Sequence, residues 1–196
     1  KEDLAKVDQI SDAKSFVSTI GELEISGGPG IFGSYIYPDV GNSTQYAIYI
    51  YQGGLSLPGE AYYREEQYQP IREAFLEHVK KMSELSGIKI DGQSLLKLES
   101  EIATFHWDQV KDRDALLTYN KKSYSELKQL SNNFDWDGYL AAGQIPAAKF
   151  QEIVVREPSF FEGLSKLLGE FDLSAWQNWL RWHILSGAAA YLNEAL

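Results

Sequence analysis

Cysteine is missing altogether. That excludes disulfides, a thiol nucleophile and cysteine-ligated zinc together. No apolar run approaches the ~18 residues of a membrane-spanning helix. Positive charge is scarce, with 18 Lys+Arg against 28 Asp+Glu and a net charge of −10. Such a chain repels phosphate backbones, and no basic stripe offsets this, so nucleic acid is not an expected partner. Residue 1 is Lys, and no charged leader followed by an apolar segment opens the sequence. At the other end, Tyr191–Leu196 are helix formers with no Gly, Pro or polar tail after them, as in a piece cut from a longer protein. There is no internal repeat and no low-complexity tract.

What remains is globular in composition: 196 residues, 44% hydrophobic and 23% charged, about one domain or a little more. Aromatics reach 13%, with 12 Tyr and 5 Trp, so rings must build much of the core or a binding surface.

Residues 1–22 read as one or two short helices, with Ser11 as N-cap, Phe16, Val17 and Ile20 on one face, and Gly21 as the stop. From residue 25 the pattern changes. Ile31 to Tyr37 and Tyr46 to Tyr51 are β-branched and aromatic runs separated by the turn cluster Pro38–Ser43. They predict a β-hairpin with a loop of six residues or more, Tyr46 and Ile48 on one face and Tyr49 and Tyr51 on the other. A lone hairpin is marginal in water, so it must lie on helices or extend a sheet. Beyond residue 60 the period is helical. Tyr68, Ile71, Phe75, Val79, Met82 and Leu85 share a stripe that Gly87 closes. Leu95, Leu98, Ile102, Phe105 and Val110 predict a second long helix. Ser123–Glu126 has the form of a capping box, and Asp135 can cap a short helix through Leu140. Ile153–Val155 fits strand or loop. Pro158 suits the first turn of a helix carrying Phe161, Leu164 and Leu168, and Ser174 caps a last helix with Trp176, Trp179, Leu180, His183 and Ile184.

Chemistry is harder to find. The three histidines, His78, His106 and His183, lie too far apart for H-E-x-x-H, and none has Glu three residues before it. His106-Trp107-Asp108 and Trp182-His183 read as histidines held among rings, with a ligand role as the rival. No G-x-S-x-G elbow presents a serine. Gly27-Gly28-Pro29-Gly30 and Gly53-Gly54 lack the spacing and the Lys of a phosphate loop and read as turns. The pairs Asp135/Asp137 and Glu99/Glu101 raise a glycosidase dyad or a calcium site. The first lacks a run of oxygen ligands, and the second points to different helix faces, so both are expected on solvated helix surface. Trp176, Trp179 and His183 recur at helical spacing, as in core packing rather than a sugar platform. The residues alone describe a mainly α, acidic unit with a small β-hairpin near residues 31–51 and no self-contained active site.

Several strings in order carry a resemblance. Tyr49-Ile50-Tyr51-Gln52-Gly53-Gly54-Leu55-Ser56-Leu57-Pro58 followed by Tyr62-Tyr63 resembles the segment Y-x-x-Q-x-G-L-x-L-P-x-x-x-Y-Y of the neprilysin family of zinc metalloendopeptidases, which includes the endothelin-converting enzymes and bacterial oligopeptidase O (PepO). Ile71–Phe75 with His78-Val79, Leu98-Glu99 with Ile102-Ala103 and His106-Trp107, Arg113-Asp114 with Thr118–Asn120, Phe134–Trp136 with Tyr139-Leu140, and Trp179–Leu185 follow in the family's order. The match runs from about residue 16 to 192. It implies that residues 1–196 are an N-terminal segment, mostly the helical covering (lid) domain, with the hairpin at 31–51 at the boundary with a catalytic domain that lies beyond. It implies a parent that cleaves oligopeptides with zinc inside an enclosed chamber, this part walling the chamber and limiting substrate size. Zinc belongs to the parent. No catalytic or metal residue is carried over, because no position here matches H-E-x-x-H, and the family's substrate-gripping arginines are assigned to no residue, so the substrate-binding residues stay unknown. The expected partners are the C-terminal catalytic half and oligopeptide substrates, and the segment alone is expected to be inactive and to self-associate. Zero Cys fits a bacterial member, cytoplasmic or secreted. The alternative is a stand-alone helical module that holds a peptide, glycan or protein on exposed Trp and Tyr. The reading frame beyond Leu196 separates the two.

Overall fold

Short polar side chains set most of the helix starts. In the computed structural model, which describes residues 2–189, the side chains of Asp12, Asp91, Asp108, Ser123, Asp135 and Asp172 each accept a backbone N–H of the first turn that follows. A carboxylate there both satisfies a free amide and complements the helix dipole. The helices, in chain order, are α1 (Glu2–Val7), α2 (Ala13–Ile25), α3 (Ala61–Arg64), α4 (Gln69–Ser86), α5 (Gly92–Ala103), α6 (Gln109–Asp112), α7 (Tyr124–Leu130), α8 (Trp136–Ala142), α9 (Pro158–Gly169) and α10 (Leu173–Ala188). The strands are β1 (Phe32–Asp39), β2 (Asn42–Gln52), β3 (Asn120–Ser123) and β4 (Glu152–Val155). The fold is mainly α, as expected. The reading of Tyr191–Leu196 as helix formers falls outside the described residues.

Ser11 is not the first cap. Asp12 takes that place, in a capping box with Ser15 (Ser15 N–H to Asp12 Oδ1, 2.8 Å), because its carboxylate is the stronger acceptor. Nor does Gly21 stop the helix. α2 runs on to Ile25, and Gly21 lies where α2 meets α8, so close that a Cβ there would sit 2.5 Å from the Tyr139 carbonyl oxygen. The glycine is spent on helix contact rather than on termination. Likewise Asp172, not Ser174, caps α10. The long helix through Leu95 ends at Ala103, and Val110 falls on the separate turn α6 with its side chain in solvent. Gly87 closes α4 in the left-handed conformation (φ 71°), as the sequence predicts.

The hairpin is present, but its connection is Val40-Gly41 rather than a loop of six residues. Strand pairing continues through the turn cluster because Asp39, buried, accepts Gly41 N–H (2.9 Å), Tyr119 OH (2.5 Å) and Lys121 Nζ (3.0 Å). The Tyr119 and Lys121 donors hold its carboxyl down at about 2. Its partner strands lie in this chain. β4 runs parallel to β2 and β3 antiparallel to β4, giving the order β1-β2-β4-β3. Ile48, Ile50, Ile153 and Val155 pair on the face that meets the helices, and Tyr49 pairs with Val154 on the other.

The core is built of rings. Trp136, Trp176, Trp179, Trp182, Phe16, Phe160 and Phe161 are all fully buried, in tilted and edge-on contacts such as Phe16–Trp176 at 4.8 Å and Phe160–Phe161 at 5.1 Å. Offset and edge-on pairs suit the ring quadrupoles. Trp136, Trp179 and Trp182 donate their indole N–H to Ser131 Oγ, the Gly54 carbonyl and Ser56 Oγ. No described helix is long and apolar enough to cross a membrane.

Candidate functional site

The string Gly53–Pro58, which follows β2 and carries part of the resemblance, has no regular structure, so its backbone groups need partners from elsewhere. It finds them on α3, α5 and α10 and on the turn that follows α5, while Gln52 at the end of β2 is held alongside. Gln52 exchanges hydrogen bonds with the Trp107 backbone (3.0 and 2.7 Å) and gives its own N–H to Glu157 Oε2 (2.8 Å). The Gly53 carbonyl accepts His106 Nε2–H (2.9 Å), and the Gly54 carbonyl accepts Trp179 Nε1–H (3.1 Å). Gly54 adopts φ +80°, which a residue with a Cβ rarely reaches.

The centre of this arrangement is Glu99 on α5, fully buried. Its Oε1 accepts Ser56 Oγ–H (2.6 Å) and His183 Nε2–H (2.9 Å). Its Oε2 accepts Tyr63 O–H (2.5 Å) and Ser56 N–H (3.0 Å). A carboxylate only accepts here, so the proton of His183 facing it sits on Nε2. Tyr63 OH in turn accepts Leu57 N–H (2.9 Å), and burial together with the neighbouring Glu99 pushes its hydroxyl far above the ordinary tyrosine range. The solvated surface expected for Glu99 is therefore wrong. Glu99 shares the stripe of Leu95, Leu98 and Ile102 at i, i+3, i+4 and i+7, and that spacing was the available signal. Glu101 does point elsewhere and is exposed.

Ser, His and an acid thus meet, but in the wrong order for acyl transfer. Glu99 lies between Ser56 and His183, and both donate to it, so the imidazole is not placed to take the serine proton. Ser56 Oγ is further engaged by Trp182 Nε1–H (2.8 Å). The other histidines are held singly. His106 also meets Phe160 edge-on and loses basicity to burial. His78 meets Trp182 edge-on at 5.8 Å. Asp135 caps α8, and Asp137 binds Tyr124 OH and Lys128 Nζ at the surface, so that pair forms no shared site. Among the described residues no three His, Asp or Glu side chains converge as a zinc ion would need. Nor does any buried side-chain N or O among them lack a hydrogen-bond partner.

Beside the loop runs a groove of about 780 Å³, lined by Tyr62, Tyr68, His106, Trp107 and Asp112 among others. Behind it Glu157 is buried, and burial with Asp112 alongside holds its carboxyl up at about 8. Arg156 reaches both acids, at 3.2 Å to Glu157 and 3.0 Å to Asp112. The groove brings no nucleophile to a base. What the whole arrangement does is fix the Gln52–Leu57 loop to α3, α5, α9 and α10.

Comparison with known proteins gives a consistent family. The profile of Peptidase family M13 matches residues 1–196. Endothelin-converting enzyme 1 of Homo sapiens is 26% identical over 172 residues, which are 83% of this chain and 22% of that protein. Membrane metallo-endopeptidase-like 1 of Mus musculus is 24% identical over 178 residues, 82% of this chain and 23% of that protein. Among solved structures, the Mycobacterium tuberculosis zinc metalloprotease Zmp1 in its open state superposes with a TM-score of 0.91 at 30% identity, covering 99% of this chain and 31% of that one. PepO from Lactobacillus rhamnosis shares the fold, with a TM-score of 0.73 at 15% identity. The chain spans less than a quarter of the length of these curated relatives.

Proposed function

The chain belongs to peptidase family M13, and from that premise we propose that it is the N-terminal, non-catalytic part of a zinc-dependent endopeptidase acting on oligopeptides. The observation that carries this is the agreement of a family match along residues 1–196 with a fold that covers 99% of the chain and only 31% of the Zmp1 chain. Among the described residues no three His, Asp or Glu side chains gather as a metal site would need, and this supports the reading that zinc and the catalytic groups lie on polypeptide outside them. The rest of the parent, oligopeptide substrates and zinc are then its partners. The role of residues 1–196 is steric: the helices wall a chamber and set the size of peptide that enters, and the hairpin at 31–51 lies at the boundary with the catalytic domain.

Rigidity suits such a wall. The Glu99 hydrogen bonds and the ring-built core hold the Gln52–Leu57 loop and four helices as one body. Polar networks with every donor and acceptor met favour a single conformation. The test is a cleavage series on the full-length parent. Unstructured peptides of increasing length are compared with a folded protein containing the same scissile sequence, with products read by mass spectrometry. Cleavage that falls off with length and spares the folded protein supports the wall. Equal rates on short peptides and on the folded protein contradict it.

A further inference from the structure

One guanidinium serves two carboxyls behind the groove. Arg156 Nε lies 3.2 Å from Glu157 Oε1, and its Nη2 lies 3.0 Å from Asp112 Oδ1. The two acids also meet side chain to side chain. Glu157 has no exposed surface, and its Oε2 is fixed on the N–H of Gln52 at the end of β2. With both acids ionised, the cluster would hold an excess negative charge out of water, which is costly. With one proton on Glu157 the count is neutral, and the acid donates to Asp112. Burial, and then Asp112, hold the Glu157 carboxyl up at about 8. Asp112 shows the converse. Burial pushes it up, yet the bonds from Glu157 and Arg156 keep it below the usual carboxylate range.

The other ionisable groups nearby leave this count unchanged. Tyr35 of β1 accepts Arg156 Nη1–H (3.1 Å). Arg113, just after α6, attracts Asp112 but is exposed and screened by water. His106 loses basicity to burial and is neutral from pH 7 upward.

If the proton leaves, one acid must reach water, and the two are not equally held. Glu157 lies between β4 and α9, both packed into the core. Asp112 ends α6, a four-residue turn with no buried residue, and its side chain is already 35% exposed. The start of α6 is anchored by Trp107, whose backbone N–H binds Gln52 and whose indole N–H binds Ser159 Oγ (2.7 Å). Its end is held through Arg156, which donates to both the carbonyl and Oδ1 of Asp112 (3.0 Å each). Releasing Asp112 therefore swings α6 about Trp107. Asp108, Val110 and Asp112 line the groove together with Tyr62 and Tyr68, so the groove widens when α6 moves.

We propose that α6 is a movable wall of this groove, latched shut by a proton held between Glu157 and Asp112 and released when that proton is lost. The latch is complete within this chain and does not depend on the chemistry assigned to the parent. The closed form binds one proton more than the open form, so low pH favours closure. The open-to-closed ratio should rise about tenfold per pH unit from pH 6 to 8 and level off above about 8.

The experiment is pulsed electron paramagnetic resonance on residues 1–196, spin-labelled at Val110→Cys and Glu66→Cys. Both sites are exposed, and the chain has no cysteine of its own. A second, longer distance is expected to grow about tenfold or more in population from pH 6 to pH 9. Glu157→Gln should hold the short distance at both pH values, because its amide donates to Asp112 and never ionises. Asp112→Asn should do the same, since its amide donates to an ionised Glu157 and the count stays neutral. Near-UV circular dichroism on the same samples reports the ring-built core and should not change. Absence of the longer distance at pH 9 overturns the proposal, as does opening that persists in either variant. Loss of the near-UV signal together with the opening also overturns it, since Glu157 would then act on the whole fold rather than on α6.

Discussion

Replacing Glu99 by Ala should be among the most destabilising single changes in this chain. The side chain is fully buried and accepts four hydrogen bonds. Ser56 N–H keeps Tyr63 OH as an acceptor at 3.0 Å. The Ser56 hydroxyl, the Tyr63 hydroxyl and His183 Nε2–H lose their acceptor. Each orphaned buried donor costs about 1–3 kcal/mol, and removing one partner of a buried pair costs roughly 3–5 kcal/mol after local rearrangement. At about 2–4 °C per kcal/mol for a domain of this size, Tm should fall by roughly 6–20 °C. Urea denaturation gives the free energy, provided the m-value is unchanged. The pairwise part is isolated by a double-mutant cycle: once Glu99 is gone, His183→Ala should cost about 1–3 kcal/mol less than it does alone. A Glu99→Ala cost below about 1 kcal/mol, or two strictly additive single costs, would refute the account of this network.

Other changes probe other parts of the fold. Trp179→Ala removes a fully buried ring and the donor to the Gly54 carbonyl and should cost about 3–5 kcal/mol; an unmoved denaturant midpoint would show that α10 is not core. Gly21→Ala gains about 1 kcal/mol of helix propensity. It also places a Cβ 2.5 Å from a backbone oxygen on α8, and such overpacking costs about 1–3 kcal/mol, so Tm should drop rather than rise. Glu157 has a folded-state pKa of about 8, above its ordinary value of 4.5, chiefly from burial. Its contribution to stability is therefore fully present below about pH 4.5 and lost as pH rises through about 8. Glu157→Gln should flatten the fall of Tm between pH 5 and 9, and an unchanged slope would contradict the assignment.

Local signals made much of the fold legible. The middle of the α4 stripe (Phe75, Val79 and Met82), its Gly87 stop, the Ser123 capping box, the Asp135 cap and the Pro158 start all stand where the residues place them, while Ile71 and Leu85 at the ends of the stripe are exposed; each of these signals depends on neighbours within one or two turns. What stayed hidden depends on long-range partners. Asn120-Lys121-Lys122-Ser123 has little strand propensity and is a strand only because β4 pairs with it. The hairpin turn is two residues long because Tyr119 and Lys121, some eighty residues away in sequence, bury Asp39. The buried network was half legible. The motif marked the loop, and the stripe of Leu95, Leu98 and Ile102 held the signal for a buried Glu99 that the reading of it as solvated surface passed over; only the fold brings Ser56, Tyr63 and His183 to one carboxylate.

On the proposed function, the zinc and the catalytic groups of the parent lie outside residues 1–196. The direct measurement is zinc stoichiometry by elemental analysis, paired with cleavage of an oligopeptide, on the full-length parent and on residues 1–196 prepared identically. The account predicts about one zinc per parent chain with turnover, as for a single metallopeptidase site, and neither bound zinc nor product from residues 1–196. Stoichiometric zinc held by residues 1–196, or product formed in proportion to their concentration, would contradict it.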